Sequence, residues 1–196
     1  TGITVDNKVY DGLLTATFTG TPAFATATAN TGLVGSESFA ITAGTFSFLT
    51  AGVGTGKATT ATGFALGTGS GGGVASNYSL AQPTGLTANV TARPITVTAA
   101  SQTRVYDGTT ASSGAPTITG TMAAGETLGG LTQAFASKNV LGAGGSTLNV
   151  TGTATVTGGG ASAANYDITL ASATGTITPA ALTTGIIVNG RPYDGT

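Results

Sequence analysis

The triplet Tyr-Asp-Gly occurs three times in the chain, at Tyr10-Asp11-Gly12, Tyr106-Asp107-Gly108 and Tyr193-Asp194-Gly195. Each copy follows a short apolar run: Ile3-Thr4-Val5, Ile95-Thr96-Val97 or Ile186-Ile187-Val188. Each also has a basic residue two places ahead of the Tyr, namely Lys8, Arg104 or Arg191. Thr1-Gly2-Ile3 matches Thr184-Gly185-Ile186 without a gap. Copies in matched surroundings are an internal repeat, and a repeat decides the architecture before any local reading does. Tyr10 and Tyr106 lie 96 residues apart, Tyr106 and Tyr193 87. The expected organisation is repeat one over 1–93, repeat two over 94–180 and the start of a third over 181–196, a slice of a longer array.

Within each repeat the apolar residues alternate with a period of two, which marks half-buried strands rather than helices. Leu86, Ala88, Val90 and Ala92 carry one face; beyond Pro94 the phase flips to Ile95, Val97 and Ala99. The flip at Arg93-Pro94 places a domain junction there, because proline lacks the amide hydrogen that a central ladder uses. The matching junction is Thr178-Pro179. In repeat two, Leu148, Val150, Ala154 and Val156 alternate between glycine clusters. Gly54-Thr55-Gly56-Lys57, Gly67 to Gly73 and Gly158 to Gly160 read as hairpin loops. A Gly/Ala/Ser loop then feeds Asn77-Tyr78 in one copy and Asn165-Tyr166 in the other, each followed by a strand. Repeat one carries seven more residues than repeat two between its Tyr-Asp-Gly and the aligned acid, Glu37 against Glu126. The extra segment lies near Pro22 to Asn30, as a surface loop or longer hairpin. Short strands with regular turn signals predict a mainly β chain.

These residues resemble a known pattern. Lys8-Val9-Tyr10-Asp11-Gly12, Arg104-Val105-Tyr106-Asp107-Gly108, Phe135 with Lys138-Asn139-Val140, the two Asn-Tyr pairs and the closing Thr176-Ile177-Thr178-Pro179 are similar to the YDG/MBG ("mostly β-grasp") repeats. Such repeats stand in tandem in large bacterial surface and secreted adhesins of the filamentous-haemagglutinin or autotransporter type. The resemblance implies two tandem β-grasp-like domains of short mixed and antiparallel strands. It further implies an extracellular or cell-surface location and a stalk, adhesin or matrix role. Repeat one departs from the pattern at Phe48-Leu49-Thr50-Ala51-Gly52-Val53, which has no Lys-Asn pair before its Val.

Composition narrows the function. Charged residues make up 7% of the chain and net charge is −1, against about a quarter charged in ordinary domains. Nucleic-acid binding needs clustered Lys and Arg to displace counterions, and polybasic membrane attachment needs the same. Neither is expected, and no apolar run is long enough to insert as a helix. The chain has no His and no Cys, so the commonest general base and the thiol nucleophile are both missing. Its acids, Asp6, Asp11, Glu37, Asp107, Glu126, Asp167 and Asp194, are scattered. No Asp-x-Asp loop offers calcium its oxygens, and no glycine run carries the Lys and Ser/Thr of a phosphate loop. No enzyme, cofactor or metal is expected. Tyr-Asp-Gly itself reads as a corner, since Asp and Gly tolerate positive φ and Tyr buries a ring beside them.

The leading expectation is a non-enzymatic structural repeat whose partners are neighbouring repeats of the same chain. Another is a binding module for a glycan or host protein, with Phe24 and Phe64 as contacts. A weaker one is a filament subunit that adds the strand near Gly185 to Thr196 to a neighbour's edge. An amide crosslink from Lys8, Lys57 or Lys138 to an Asn is a further possibility for a surface domain without disulfides.

Overall fold

The computed structural model describes residues 2–25, 32–160, 162–185, 190 and 193–195. Repeat one contains β1 (Ile3–Val5), β2 (Lys8–Val9), β3 (Thr15–Ala16), β4 (Phe18–Gly20), β5 (Ser38–Thr42), β6 (Thr45–Phe48), β7 (Gly54–Thr62), β8 (Ala65–Ser70) and β9 (Thr87–Thr91). Repeat two contains β10 (Arg93–Thr98), β11 (Thr103–Val105), β12 (Thr117–Thr119), β13 (Thr127–Phe135), β14 (Ser146–Thr157), β15 (Tyr166–Ala171) and β16 (Ala173–Thr178). Helical structure among the described residues is confined to two single turns, Ala75–Asn77 and Ala163–Asn165. The chain is mainly β, as the alternation predicts.

The repeats share one topology. The order β2-β9-β7-β6-β3 in the first copy parallels β11-β16-β14-β13 in the second. β1 pairs with β4 as β10 pairs with β12. The two larger sheets are mixed: β2 runs parallel to β9 and β11 parallel to β16, while the other pairings recorded in register are antiparallel. Parallel neighbours cannot be joined by a hairpin. The intervening strands therefore form the crossover, and the second and last strands of each repeat end side by side.

Packing divides the chain differently from its sequence. One compact unit takes Thr1–Val97 together with Ile118–Leu131 and Thr153–Thr169; the other takes Thr98–Thr117, Thr132–Gly152 and Leu170–Thr196. The core of the first is aromatic. Phe46 is buried and meets Phe18 and Phe64 at ring distances of 5.4 and 5.6 Å. Ile3, Val5 and Val90 are buried in the same unit. The core of the second is smaller: Ala99, Phe135, Leu148 and Ile177, with Val150 and Ala173 against it. Gly175, within β16, leaves room there, because a Cβ at that position would lie 2.7 Å from Leu148 and 2.9 Å from Phe135.

Several local expectations change. The strand break at the first junction falls at Ala92, and Pro94 lies inside β10 as its second residue; near a strand's start a missing amide hydrogen is tolerated. Gly54 to Lys57 begins β7 as a bulge, with a register shift and Gly56 at φ 57, so an extra residue is absorbed in the ladder instead of a loop. β8 runs through Gly67 and Gly69, and only Gly71-Gly72 turn. The strand expected after Asn-Tyr forms in repeat two alone, as β15. Its counterpart, Ser79 to Leu86, contains Pro83 and is not a strand. There the side chain of Gln82 stands in for a ladder, accepting from Phe64 N at 3.0 Å and donating to Phe64 O at 2.9 Å. The strand expected at Ile186-Ile187-Val188 lies outside the described residues, as does part of the repeat-one insertion.

Candidate functional site

Tyr-Asp-Gly is a pinned turn. Gly12 and Gly108 adopt φ of 79° and 80°, a region where a Cβ is strained. Asp11 Oδ1 accepts from Leu13 N at 2.9 Å, and Asp107 Oδ1 accepts from Thr109 N at 2.9 Å. These are Asx turns, in which the side chain mimics a backbone carbonyl. The basic residue ahead of each Tyr closes the loop. Lys8 Nζ meets Asp11 at 2.7 Å and donates to the carbonyls of Leu13 and Thr15 at 2.7 and 2.9 Å. Arg104 pairs with Asp107 and donates to Thr109 O. Each cation also lies over the buried Phe of its own repeat, Lys8 at 5.5 Å from the Phe48 centroid and Arg104 at 5.0 Å from that of Phe135, an attraction between charge and ring face. Burial opposes ionisation of Asp11, yet the Lys8 amine and the Leu13 amide outweigh it and hold the carboxyl below its ordinary value. Asp107 is lowered by the Thr109 amide and hydroxyl and then by Arg104.

The Tyr of each turn is tied to the last strand of its repeat. Tyr10 N donates to Thr91 O at 2.9 Å and Tyr106 N to Thr178 O at 2.8 Å. The junction residue Arg93 adds a contact of 3.4 Å to Tyr10 O. Thr178 donates its hydroxyl to Arg104 O at 3.3 Å, and Pro179 follows the end of β16.

A second constellation joins residues far apart in sequence. Tyr166 donates to Glu126 Oε2 at 2.7 Å and accepts from Ala123 N at 2.9 Å. Tyr10 donates to the other carboxylate oxygen, Oε1, at 2.5 Å. The two tyrosine rings meet edge to face at 5.6 Å. Asn165, next to Tyr166, accepts from Val53 N at 3.1 Å. All six residues lie within the first compact unit, and Tyr10, Glu126, Asn165 and Tyr166 are buried. The single turn Ala163–Asn165, capped by the Ser162 hydroxyl, aims Asn165 and Tyr166 together. Burial, then the bond to Glu126 and its charge, push the Tyr10 hydroxyl up to about 12, with Asn165 acting the other way. Burial and the Glu126 bond raise Tyr166 as well.

Repeat one has the same clasp without the third member. Tyr78 donates to Glu37, and Val34 N donates to Tyr78 Oη at 3.0 Å. Glu37 N reaches back to Val34 O as Glu126 N does to Ala123 O. The Glu37 bond raises Tyr78. Asn77, however, is exposed. A clasp duplicated in position and partner, beside a duplicated turn, marks two copies of one domain. The model of the YDG domain matches residues 1–85 and again 91–175. The chain belongs to the YDG domain family. No curated protein and no solved structure matches it.

The other sequence candidates of the YDG repeats fall as follows. Tyr193 is exposed and Gly195 has φ 72, while Asp194 makes an interaction within the structure. Phe64 is buried against Phe18 and Phe46, so its ring serves the core, which overturns its reading as an exposed contact. Phe24 is partly exposed. Both line a cavity of about 480 Å³ with Ile3, Ile41, Leu66 and Leu80. Lys8 and Lys57 engage Asp11 and Thr50, and Lys138 is exposed; no Lys–Asn pairing for a crosslink is formed among the described residues. No group of three acids gathers for a metal among them, and no helix there is long and apolar enough to cross a membrane. Sequence reasoning missed the Tyr10–Glu126 bond and the pinning by Lys8 and Arg104. The second had a signal, a base three residues before an acid in both copies.

Proposed function

We propose that this chain is a structural segment of a long bacterial surface or secreted protein, where tandem YDG repeats space an adhesive part from the cell or build a matrix fibre. The observation that carries the reading is the buried seam in which the Tyr-Asp-Gly turn of one repeat enters the Glu–Tyr clasp of the next. Hydrogen bonds to a charged acceptor are worth about 1.5–3 kcal/mol, and tyrosine rings add packing. A seam so built resists bending and separation, which suits a spacer. The family membership and a composition without His or Cys support a role that needs no chemistry. Arrays whose units touch only neighbours lengthen in proportion to copy number. Small-angle scattering on chains of two, three and four repeats tests the reading. A constant increment in maximum dimension per repeat is expected; a compact envelope that grows only with the cube root of mass sinks it.

One observation favours a second reading, a binding module. The apolar cavity beside Phe24 lies within the size range of small-molecule sites. A glycan array probed with the chain and with Phe24→Ala distinguishes the two: loss of a specific signal in the variant supports binding, and no signal from either removes it. The filament reading rests on strand addition near Gly185 to Thr196 and is checked by electron microscopy of the purified chain.

A further inference from the structure

The closed seam has two open counterparts, one on each repeat. Ala123, which donates its amide to the closed clasp, is 3% exposed, whereas its equivalent Val34 is 69% exposed. Asn165 is buried and Asn77 is exposed. Tyr10 is 3% exposed and Tyr106 38%. A methyl group at Gly12 would meet Ala123 Cβ at 3.3 Å, while one at Gly108 would meet nothing within 4 Å. Val140 stands 87 residues after Val53, as Phe135 does after Phe48, and Val53 N is the donor that Asn165 accepts. Every member of the closed seam thus recurs on the side where it lacks a partner. The turn and its pinning cation are already in place at Tyr106, and the clasp is already bonded at Glu37 and Tyr78. The open turn has the φ of the closed one, 80° at Gly108 against 79° at Gly12.

We propose that Tyr106, Gly108 and the Val140 amide form a docking face for the Glu–Tyr clasp and Asn of a following YDG repeat. The Glu37–Tyr78 clasp with Val34 and Asn77 is the matching face for the turn of a preceding one. The occupant is a further YDG repeat because the face continues an interface that the chain already contains, residue for residue. It must present an acid three residues after a small apolar residue, and an Asn-Tyr pair on a single helical turn. Few other partners present that set. The spacer reading enters only in taking the occupant from the same chain.

The test is a chain carried past Thr178 by a second copy of residues 92–178, which keeps the register of Thr91 with Thr178. The appended copy carries Tyr106→Phe, so that the one Tyr106 peptide comes from the tested face; tyrosine nitration by tetranitromethane, read by peptide mass spectrometry, reports its accessibility. In the 196-residue chain Tyr106 reacts and Tyr10 is spared. In the lengthened chain Tyr106 nitration slows by about tenfold or more, as burial removes it from reagent except through opening. Glu126→Ala in the appended copy alone restores the rate. Unchanged nitration of Tyr106 overturns the proposal. So does an appended repeat whose Leu148 amide exchanges freely, since a docked repeat is held folded by this face. Scattering from the same protein separates the two ideas: a protected Tyr106 in a compact envelope keeps the docking face and removes the spacer. A reactive Tyr106 in an extended envelope does the reverse.

Discussion

The Glu126 clasp and the Glu37 clasp have the same Glu–Tyr pair, the same internal bonds and different surroundings. In one, the carboxylate is buried and both of its oxygens accept from tyrosine hydroxyls. In the other, a single tyrosine serves a half-buried acid. The local sequence builds the clasp in both cases. Only the neighbour's turn turns it from a surface hydrogen bond into a core element. The difference shows that the surroundings of a clasp, and not its Glu–Tyr pair, decide whether it is buried.

The largest effect expected is on the closed clasp. Glu126→Ala leaves two buried hydroxyls without an acceptor and costs about 4 kcal/mol, whereas Glu37→Ala costs about 1 kcal/mol. Urea unfolding of the two variants measures the gap, and equal losses would erase the distinction. Next comes the contributed tyrosine. Tyr10→Phe keeps the ring and loses one charged hydrogen bond, about 2 kcal/mol; Tyr106→Phe, on the open side, changes stability by less than about 0.5 kcal/mol.

A pH effect follows from the same residues. Tyr10 is raised from 10.0 to about 12 by burial and by Glu126, so its protonated form is favoured in the folded state. That stability is present in full below pH 10 and is lost as pH rises from about 10 toward 12, because the unfolded tyrosine then releases its proton more readily. Tyr166 shifts the same way. Thermal melting across this range should fall more steeply for the natural protein than for Tyr10→Phe. The smallest effect concerns Gln82, which replaces a strand ladder in repeat one. Gln82→Ala removes two part-buried bonds to Phe64 and costs about 1–2 kcal/mol, with faster exchange of the Phe64 amide as the readout. Repeat two has Leu170 at the equivalent position, four residues after Tyr166, and so has no such side chain to lose.

Strand class and repeat phase were legible because both are local. Alternation at Leu148, Val150 and Val156 records one buried face, and Asp-Gly records a turn. The seam was not legible, because Tyr10 and Glu126 lie 116 positions apart. A periodic sequence states only that Tyr and Glu recur. It does not state whether each Tyr meets the Glu of its own repeat or of the next. The aligned acids Glu37 and Glu126 were visible as a register mark, yet their partner was set by tertiary packing. The place of Phe64 is set by packing for a related reason. Its chain neighbours are polar or small, but the break between β7 and β8 drops the ring onto Phe46. The missing strand after Tyr78 traces to Pro83, a breaker that was present in the sequence but outweighed by the likeness of the two Asn-Tyr loops.

The compact units do not follow the sequence repeats: the first borrows Ile118–Leu131 and Thr153–Thr169 from its successor. The unit that recurs along the sequence is therefore not the unit that packs as a body. Each repeat brings one turn and one clasp, and the closed joint takes its turn from repeat one and its clasp from repeat two. The boundary that sequence likeness draws is thus a place where the chain cannot be divided without exposing a buried carboxylate.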